Sequence, residues 1–187
     1  MKPFVRDYFQ QFRQLTAFSD EIFDQLNQIR DRFVRANERG NKIMIMGNGG
    51  SAAMASHVSV DLTKNAGIRA MNFNEADLIT CFANDLGYEQ WMKAALRFYA
   101  NKNDVIVLIS SSGRSRNVVN AANYSTENHL ELVTLTGMDK SNPLKSANPS
   151  GINLWVNSKA YNLIEMTHHF WLLCVVDMII GNAEYPA

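Results

Sequence analysis

The chain has 187 residues, a size at which one compact domain buries most of its surface without disulfides or structural metals. It carries 18 Lys and Arg against 18 Asp and Glu, so its formal net charge is zero. This balance gives no sign of the basic surface of a nucleic-acid-binding domain or of a membrane-surface patch, and we expect no direct nucleic-acid or membrane partner. The N-terminus has no signal-peptide core, and the apolar stretch over 170–180 is too short to span a bilayer, so we predict a cytoplasmic protein.

The first forty residues predict helix. Apolar residues recur every three or four positions from Phe4 to Asn37, which is typical of one or two amphipathic helices, and Gly40 is a plausible stop. We expect this segment (1–40) to pack on the remainder (41–187) within a single domain.

Strands then alternate with helices. The pattern predicts strands over 42–46, 68–73, 104–109, 130–135 and 152–156, and helices over 52–62, 77–86, 88–100, 117–126 and 161–182. The fold class is therefore α/β, a doubly wound, flavodoxin-like, five-stranded parallel sheet with long N- and C-terminal helices. In that strand order the first and third strands are neighbours at the switch point, where ligands bind.

A glycine-rich turn follows the first strand: Gly47, Asn48, Gly49, Gly50 and Ser51. Glycines allow close backbone approach, and the following helix offers free N–H groups to a phosphate or an oxyanion. The turn lacks the spacing of dinucleotide and ATP loops. The alternative is a tight turn with Ser51 as the helix cap.

A hydroxyl-rich turn follows the third strand. It contains Ser110, Ser111, Ser112, Gly113, Arg114 and Ser115, and we call it the serine loop. Hydroxyls and backbone N–H groups at a helix N-terminus suit a phosphate monoester. The alternative is a serine-rich loop that supplies one helix cap.

Two histidine–acid pairs indicate a metal site. His57 and Asp61 are four residues apart in one predicted helix, and Glu165 and His169 are four apart in the last one. Each pair lies on one helical face, so together they could supply four nitrogen and oxygen ligands to Zn²⁺. Either pair alone could instead be a surface salt bridge. His168 points elsewhere and could support this site from behind or contact another subunit.

Three other features of the sequence carry weaker signals. Asn84 and Asp85 end a helix, where Gly87 could serve as the C-cap. His129 lies in a loop and is expected to face solvent. Cys81 and Cys174 lie in apolar runs, which favours reduced core cysteines.

Taken in this order, the glycine-rich turn, His57 with an acid at 61, Asn84 with Asp85, and the serine loop resemble the phosphoheptose isomerases, which carry the sugar isomerase (SIS) fold. The resemblance covers essentially the whole chain. It implies homotetramers with active sites between subunits, and conversion of sedoheptulose 7-phosphate to D-glycero-D-manno-heptose 7-phosphate for bacterial surface polysaccharide such as lipopolysaccharide.

The resemblance also implies residue roles. Substrate would contact Asn48, Gly49, Gly50, Ser51, Asn84 and Asp85, and Ser110, Ser111, Ser112 and Ser115 would hold its phosphate. Zinc would be held by His57 and Asp61, with Glu165 where the family has a polar ligand. Asp61 and Glu165 are then the candidate bases, and His169 the candidate acid or ligand.

Two positions depart from the family. Asp61 stands where the family has glutamate, and Leu173 stands where it has a catalytic, metal-binding histidine. His169 lies one helical turn earlier on the same face. Because some SIS proteins without that histidine are not enzymes, two alternatives accompany the isomerase hypothesis: a tetramer that binds the replication initiator, and a sugar-phosphate sensor.

Overall fold

A computed structural model describes residues 1–185. The helices are α1 (Lys2–Leu15), α2 (Asp20–Glu38), α3 (Gly50–Lys64), α4 (Ala76–Leu86), α5 (Trp91–Tyr99), α6 (Arg116–Glu127), α7 (Pro143–Ser146) and α8 (Tyr161–Ile180). The strands are β1 (Ile43–Gly47), β2 (Ala70–Met71), β3 (Val105–Ser110), β4 (Glu131–Thr136) and β5 (Ile152–Trp155). The predicted strand over 68–73 shortens to two residues, and the sequence did not predict the single-turn helix α7.

The sheet is parallel, with strand order β2-β1-β3-β4-β5. This order confirms the doubly wound, flavodoxin-like prediction. β1 and β3 are neighbours, and Gly47 at the end of β1 pairs with Ile109 near the end of β3. The two unusual turns therefore begin side by side at the carboxyl edge of the sheet.

The strands are apolar throughout because both faces of the sheet are covered. Ile43 and Ile45 face a core built with α2, α3 and α8, whereas Met44 and Met46 face a second core built with α5 and α6. The alternation follows the two-residue period of a strand.

The predicted N-terminal helical segment forms two helices of different character. α2 buries Leu26, Ile29, Phe33 and Ala36, one stripe at helical spacing, in the core. α1 buries none of its residues, and Phe4 and Phe9 are 68% and 71% exposed. α1 therefore presents an apolar face that its own protomer does not cover.

α8 is long and apolar enough to cross a membrane by length and composition. The prediction that the apolar stretch is too short was wrong, because the apolar helix extends over Tyr161–Ile180 and is not limited to residues 170–180. Leu163, Ile164, Leu172 and Val176 are buried in the fold. The buried positions of α8 are therefore those expected of a helix in the core of a folded domain.

A buried ion pair joins the amino ends of β1 and β3. The Asp104 side chain is fully buried and accepts hydrogen bonds from the Lys42 ammonium group at 2.6 Å and from the backbone N–H groups of Lys42 and Asn101. Burial alone would raise the pKa of Asp104, but these hydrogen bonds and one from Asn41 outweigh it and hold the pKa below 3.8.

Candidate functional site

The glycine-rich turn leads directly into α3. Gly49 is the N-cap residue, with a positive φ of 55°, and no side chain caps the helix. Ser51 lies buried in the first turn, so the alternative that it is the cap is wrong. Gly49 and Gly50 are exposed, and they leave the start of α3 open to a ligand.

The serine loop separates buried from accessible hydroxyls. Ser110 and Ser111 are buried, while Ser112 and Ser115 are half-buried. Ser112 Oγ accepts from the Arg114 N–H at 3.3 Å, and Ser110 Oγ lies 3.3 Å from Ser115 Oγ. Ser115 is the N-cap of α6 but makes no side-chain cap bond, so the capping alternative is not realised and its hydroxyl remains available to a ligand.

Gly113 shapes this loop. Its φ is +63°, and a Cβ there would overlap the Asn142 side chain at the start of α7. The Gly113 carbonyl also accepts from Leu144 N–H at 3.0 Å. The loop is thereby clamped from one side, which leaves Ser112 and Ser115 toward the carboxyl edge of the sheet.

A reciprocal amide pair joins the two turns. Asn48 and Asn117 donate to each other's side-chain oxygen at 3.0 and 2.8 Å. Tyr88 Oη donates to the same Asn48 oxygen at 3.0 Å. Sequence reasoning missed Asn117 and Tyr88, since an asparagine in a first helical turn and an isolated tyrosine carry no distinctive signal. The pair brings the glycine-rich turn and the first turn of α6, which follows the serine loop, together at the switch point between β1 and β3.

The acid and histidine candidates lie along α3 and α8, which run side by side in the same direction. Glu165 on α8 packs against Gly50, close enough that a Cβ on Gly50 would stand 2.8 Å from its carboxyl carbon. Farther along, His169 Nε2 lies 2.9 Å from His57 Nδ1. By helical rise, His57 and Asp61 stand roughly 10 and 16 Å along α3 from Gly50. Glu165 is therefore the acidic candidate nearest the turns.

The far end of this row is a hydrogen-bonded chain. His57 Nε2 lies 3.3 Å from an Asp61 carboxylate oxygen. Because a carboxylate only accepts, His57 Nε2 carries a proton, and the direction of the hydrogen bond between His57 Nδ1 and His169 Nε2 depends on the tautomers of the two rings. Burial lowers the pKa of His169, the electrostatic effect of His57 lowers it further, and Asp61 opposes this shift. The net lowering of the pKa favours a neutral His169 ring.

The nitrogen and oxygen donors of these four side chains suit zinc, but His57 is in hydrogen-bond contact with His169 and Asp61. Both ring nitrogens of His57 are engaged, and Glu165 lies at Gly50 rather than beside them. Within residues 1–185, no group of three or more His, Cys, Asp or Glu side chains is arranged to hold a metal ion. Zinc binding at these four residues stays a prediction.

Asn84 and Asp85 are exposed at the end of α4 and bond to each other at 2.8 Å, and Gly87 is the C-cap as predicted. His129 is exposed, as predicted. Cys174 is half-buried, but the prediction of a core cysteine is wrong for Cys81, which is exposed on α4.

His168 does not contact another subunit, because it is fully buried within the protomer. Its Nε2 lies 3.0 Å from the Thr136 carbonyl oxygen. Complete burial lowers its pKa to about 4, against a smaller opposing effect of that hydrogen bond. Leu173 is half-buried and packs against the core, so an aliphatic contact stands where the family resemblance implies a histidine.

The SIS domain profile matches residues 7–137, more than two thirds of the chain. The chain belongs to the SIS domain family. A phosphoheptose isomerase of Colwellia psychrerythraea is 32% identical to it over 153 residues, which cover 79% of this chain and 78% of that protein. The DnaA initiator-associating protein DiaA of Escherichia coli is 26% identical over 176 residues, covering 91% and 89%.

The fold is that of solved phosphoheptose isomerases. The structure of the enzyme from Neisseria gonorrhoeae aligns with a TM-score of 0.86 at 24% identity, over 95% of this chain and 98% of that one. At this identity the likeness shows the SIS fold, and it confirms the predicted fold family.

Two cavities lie away from this site. One of about 360 Å³ opens near the amino ends of β4 and β5, and one of about 440 Å³ lies between α2 and β5. His129 lines the first cavity, and none of the residues assigned to substrate, metal or proton transfer lines either one.

Proposed function

We propose that this SIS protein is an aldose–ketose isomerase that converts sedoheptulose 7-phosphate to D-glycero-D-manno-heptose 7-phosphate in the cytoplasm, for bacterial surface polysaccharide. One observation carries the proposal: Glu165 lies against Gly50, at the crevice that also receives the serine loop. In this arrangement the serine loop would bind the substrate phosphate, and the Glu165 carboxylate would face the reacting carbons.

The substrate phosphate is assigned to the serine loop. Ser112 and Ser115 supply accessible hydroxyls, with backbone N–H groups at the start of α6. Ser110 and Ser111 are buried, so they contribute through the backbone they shape. Asn48, held by Asn117, stands between this loop and the glycine-rich turn. Binding the phosphate far from the reacting carbons orients those carbons for proton transfer.

Proton transfer is assigned to α8. The base takes a proton from the carbon beside the carbonyl and returns it to the former carbonyl carbon, while a second group moves a proton between the two oxygens. Glu165 is the preferred base because no hydrogen bond or ion pair engages its carboxylate among the described residues. The Asp61 carboxylate is already engaged by His57 and Asn65. Asp61 therefore orients His57, and through it His169, the proposed second acid–base group.

Exchange of substrate protons tests the proposal. Sedoheptulose 7-phosphate in deuterated water should exchange its C1 proton with wild-type protein, and Glu165→Gln should slow this by about 10²–10⁴-fold while binding persists. Glu127→Gln, an exposed acid at the end of α6, is the matched control and should react like wild type. Absence of exchange with wild-type protein, with and without added zinc, would reject the isomerase.

A second candidate function is a non-catalytic tetramer that binds the replication initiator. Leu173 in place of the family histidine favours it, as does the similarity to a DnaA initiator-associating protein along most of the chain. Capture of purified initiator by a protein that shows no proton exchange would support it. Tight sugar-phosphate binding without exchange and without initiator capture would instead indicate a sensor.

The proposed assembly is a homotetramer. Phe9 and Phe12 of α1 line an apolar groove of about 160 Å³ with Leu163 and Met166 of α8, and Phe170 is exposed beside it. Such faces are covered when helices of several copies form a bundle. Light scattering should give about four times 21.1 kDa, and Phe9→Asp should lower the mass. A monomer at micromolar concentration would refute the assembly.

A further inference from the structure

His168 makes a contact that the proposed chemistry does not use. His168 lies on the side of α8 that faces the core. Its Nε2 lies 3.0 Å from the carbonyl oxygen of Thr136, the last residue of β4. Because a carbonyl only accepts, Nε2 carries the proton, and Nδ1 is bare. Nδ1 is buried and has no partner among the described residues. Among the described residues, the His168 imidazole therefore makes a single hydrogen bond.

The residue after Thr136 touches the serine loop. Gly137 N–H donates to the Ser111 carbonyl at 3.0 Å. On its other side, Gly137 meets Ile164 of α8, whose side-chain atoms come within 2.8–2.9 Å of where a Cβ would stand. The Thr136–Gly137 junction is thus held between α8 and the serine loop, with no room for a side chain at Gly137.

Burying an imidazole on a core helix is unfavourable unless its hydrogen bonds are satisfied. An aliphatic residue would fill the space without that cost, as Leu172 does nearby. The Thr136 carbonyl already accepts from Val156 N–H at 2.8 Å, so sheet pairing does not require His168. What His168 adds is a link between β4 and α8, the helix that carries Glu165.

We propose that His168 is a positioning residue that fixes the serine loop relative to Glu165 through the Thr136–Gly137 junction. The inference rests on the proposed function, since it concerns the spacing of the phosphate and carboxylate ends of that site. Losing the link should shift the serine loop and weaken phosphate binding, while the groups that touch substrate remain unchanged.

Two substitutions at one position test the link. His168→Gln places an amide nitrogen near the position of Nε2 and keeps the donor, whereas His168→Asn is too short to reach Thr136. Calorimetry with sedoheptulose 7-phosphate and with inorganic phosphate should show affinity about 5–30-fold weaker for the Asn variant and within about 3-fold of wild type for the Gln variant. A purely structural role would lower the melting temperature without changing the affinity of the folded fraction. Equal affinities in the Asn variant and wild type would overturn the proposal.

A second readout does not depend on substrate. Hydrogen exchange of the Gly137 amide should be at least about tenfold faster in the Asn variant than in the Gln variant, relative to Val107 in central β3. Equal exchange would overturn the link even with a protein that binds no sugar phosphate, so its failure is distinct from failure of the isomerase. Should the Asn variant not fold, nitrogen NMR of wild type decides: protonated Nε2 supports the link, and protonated Nδ1 overturns it.

Discussion

Gly50→Ala should slow the proposed isomerase reaction without destabilising the protein. Gly50 lies in the first turn of α3, and its φ is not positive, so alanine fits the backbone and should stabilise the helix by up to about 1 kcal/mol. The new Cβ would stand 2.8 Å from the Glu165 carboxyl carbon. The Glu165 Oε2 atom would overlap the new Cβ, so the carboxylate must move away by about 1 Å to reach the 3.4 Å of ordinary contact. The end of a glutamate side chain can rotate away, so the displacement costs little stability.

Gly50→Ala should instead lower the rate of proton exchange. Displacing a catalytic group by about 1 Å can lower the rate by about 10²-fold, so we expect a loss of about 10–100-fold in proton exchange. Sugar-phosphate affinity, measured calorimetrically, should stay within about threefold, because the serine loop follows a different strand. Thermal unfolding provides the measure of stability.

The double variant sharpens the test. If Gly50→Ala acts only by displacing Glu165, then adding it to Glu165→Gln should slow exchange no further, since neighbouring residues in one mechanism are not additive. A Gly50→Ala protein as active as wild type would remove Glu165 as the base. Additive losses in the double variant would show that Gly50 acts through its own loop.

Three further predictions follow from named contacts. Asp104→Ala should cost about 3–5 kcal/mol in urea unfolding at pH 7, because it leaves the partly buried Lys42 ammonium group and the backbone N–H groups of Lys42 and Asn101 unpaired, whereas the exposed Asp139→Ala should cost less than about 1 kcal/mol. Since the pKa of Asp104 is lowered on folding, its contribution is present above pH 3.8 and should fade as the pH drops through the folded pKa. Ser112→Ala or Ser115→Ala should weaken sugar-phosphate binding by about 1–2 kcal/mol in calorimetry, and unchanged affinity in both would reject the phosphate loop. Zinc at 100 times its Kd should add about 2.7 kcal/mol of stability, and a chelator-free protein that neither retains zinc nor melts higher with it would leave the four candidate ligands as a polar network.

The sheet was predictable because its signals are local. Apolar strands such as Val105–Ser110 are bounded by turn residues, and the change from helical to strand period marks β1. β2 was the least accurate strand, because it contains two residues at the sheet edge and pairs only with β1. α7 was missed because a single turn has too few residues to show a period, although Asn142 caps it by accepting from Lys145 N–H.

The site was predictable residue by residue but not as an arrangement. Four-residue spacing places Glu165 and His169 on one face of α8, yet it does not say that Glu165 meets Gly50 while His169 meets His57. That depends on the parallel packing of α3 against α8, a long-range property. The mutual bonds of Asn48 and Asn117 likewise depend on the pairing of β1 with β3.

The geometry also changes how Leu173 bears on activity. Glu165, His169 and Leu173 follow one another at one-turn intervals on α8, leading away from Gly50. A histidine at 173 would lie farther from the glycine-rich turn than His169, by the rise of about one helical turn, roughly 6 Å. Its replacement by leucine removes a group from the distant end of the row and leaves the carboxylate nearest the crevice unchanged. The proposed proton abstraction by Glu165 therefore does not require a histidine at position 173, whereas an arrangement built around a metal at the far end of the row would.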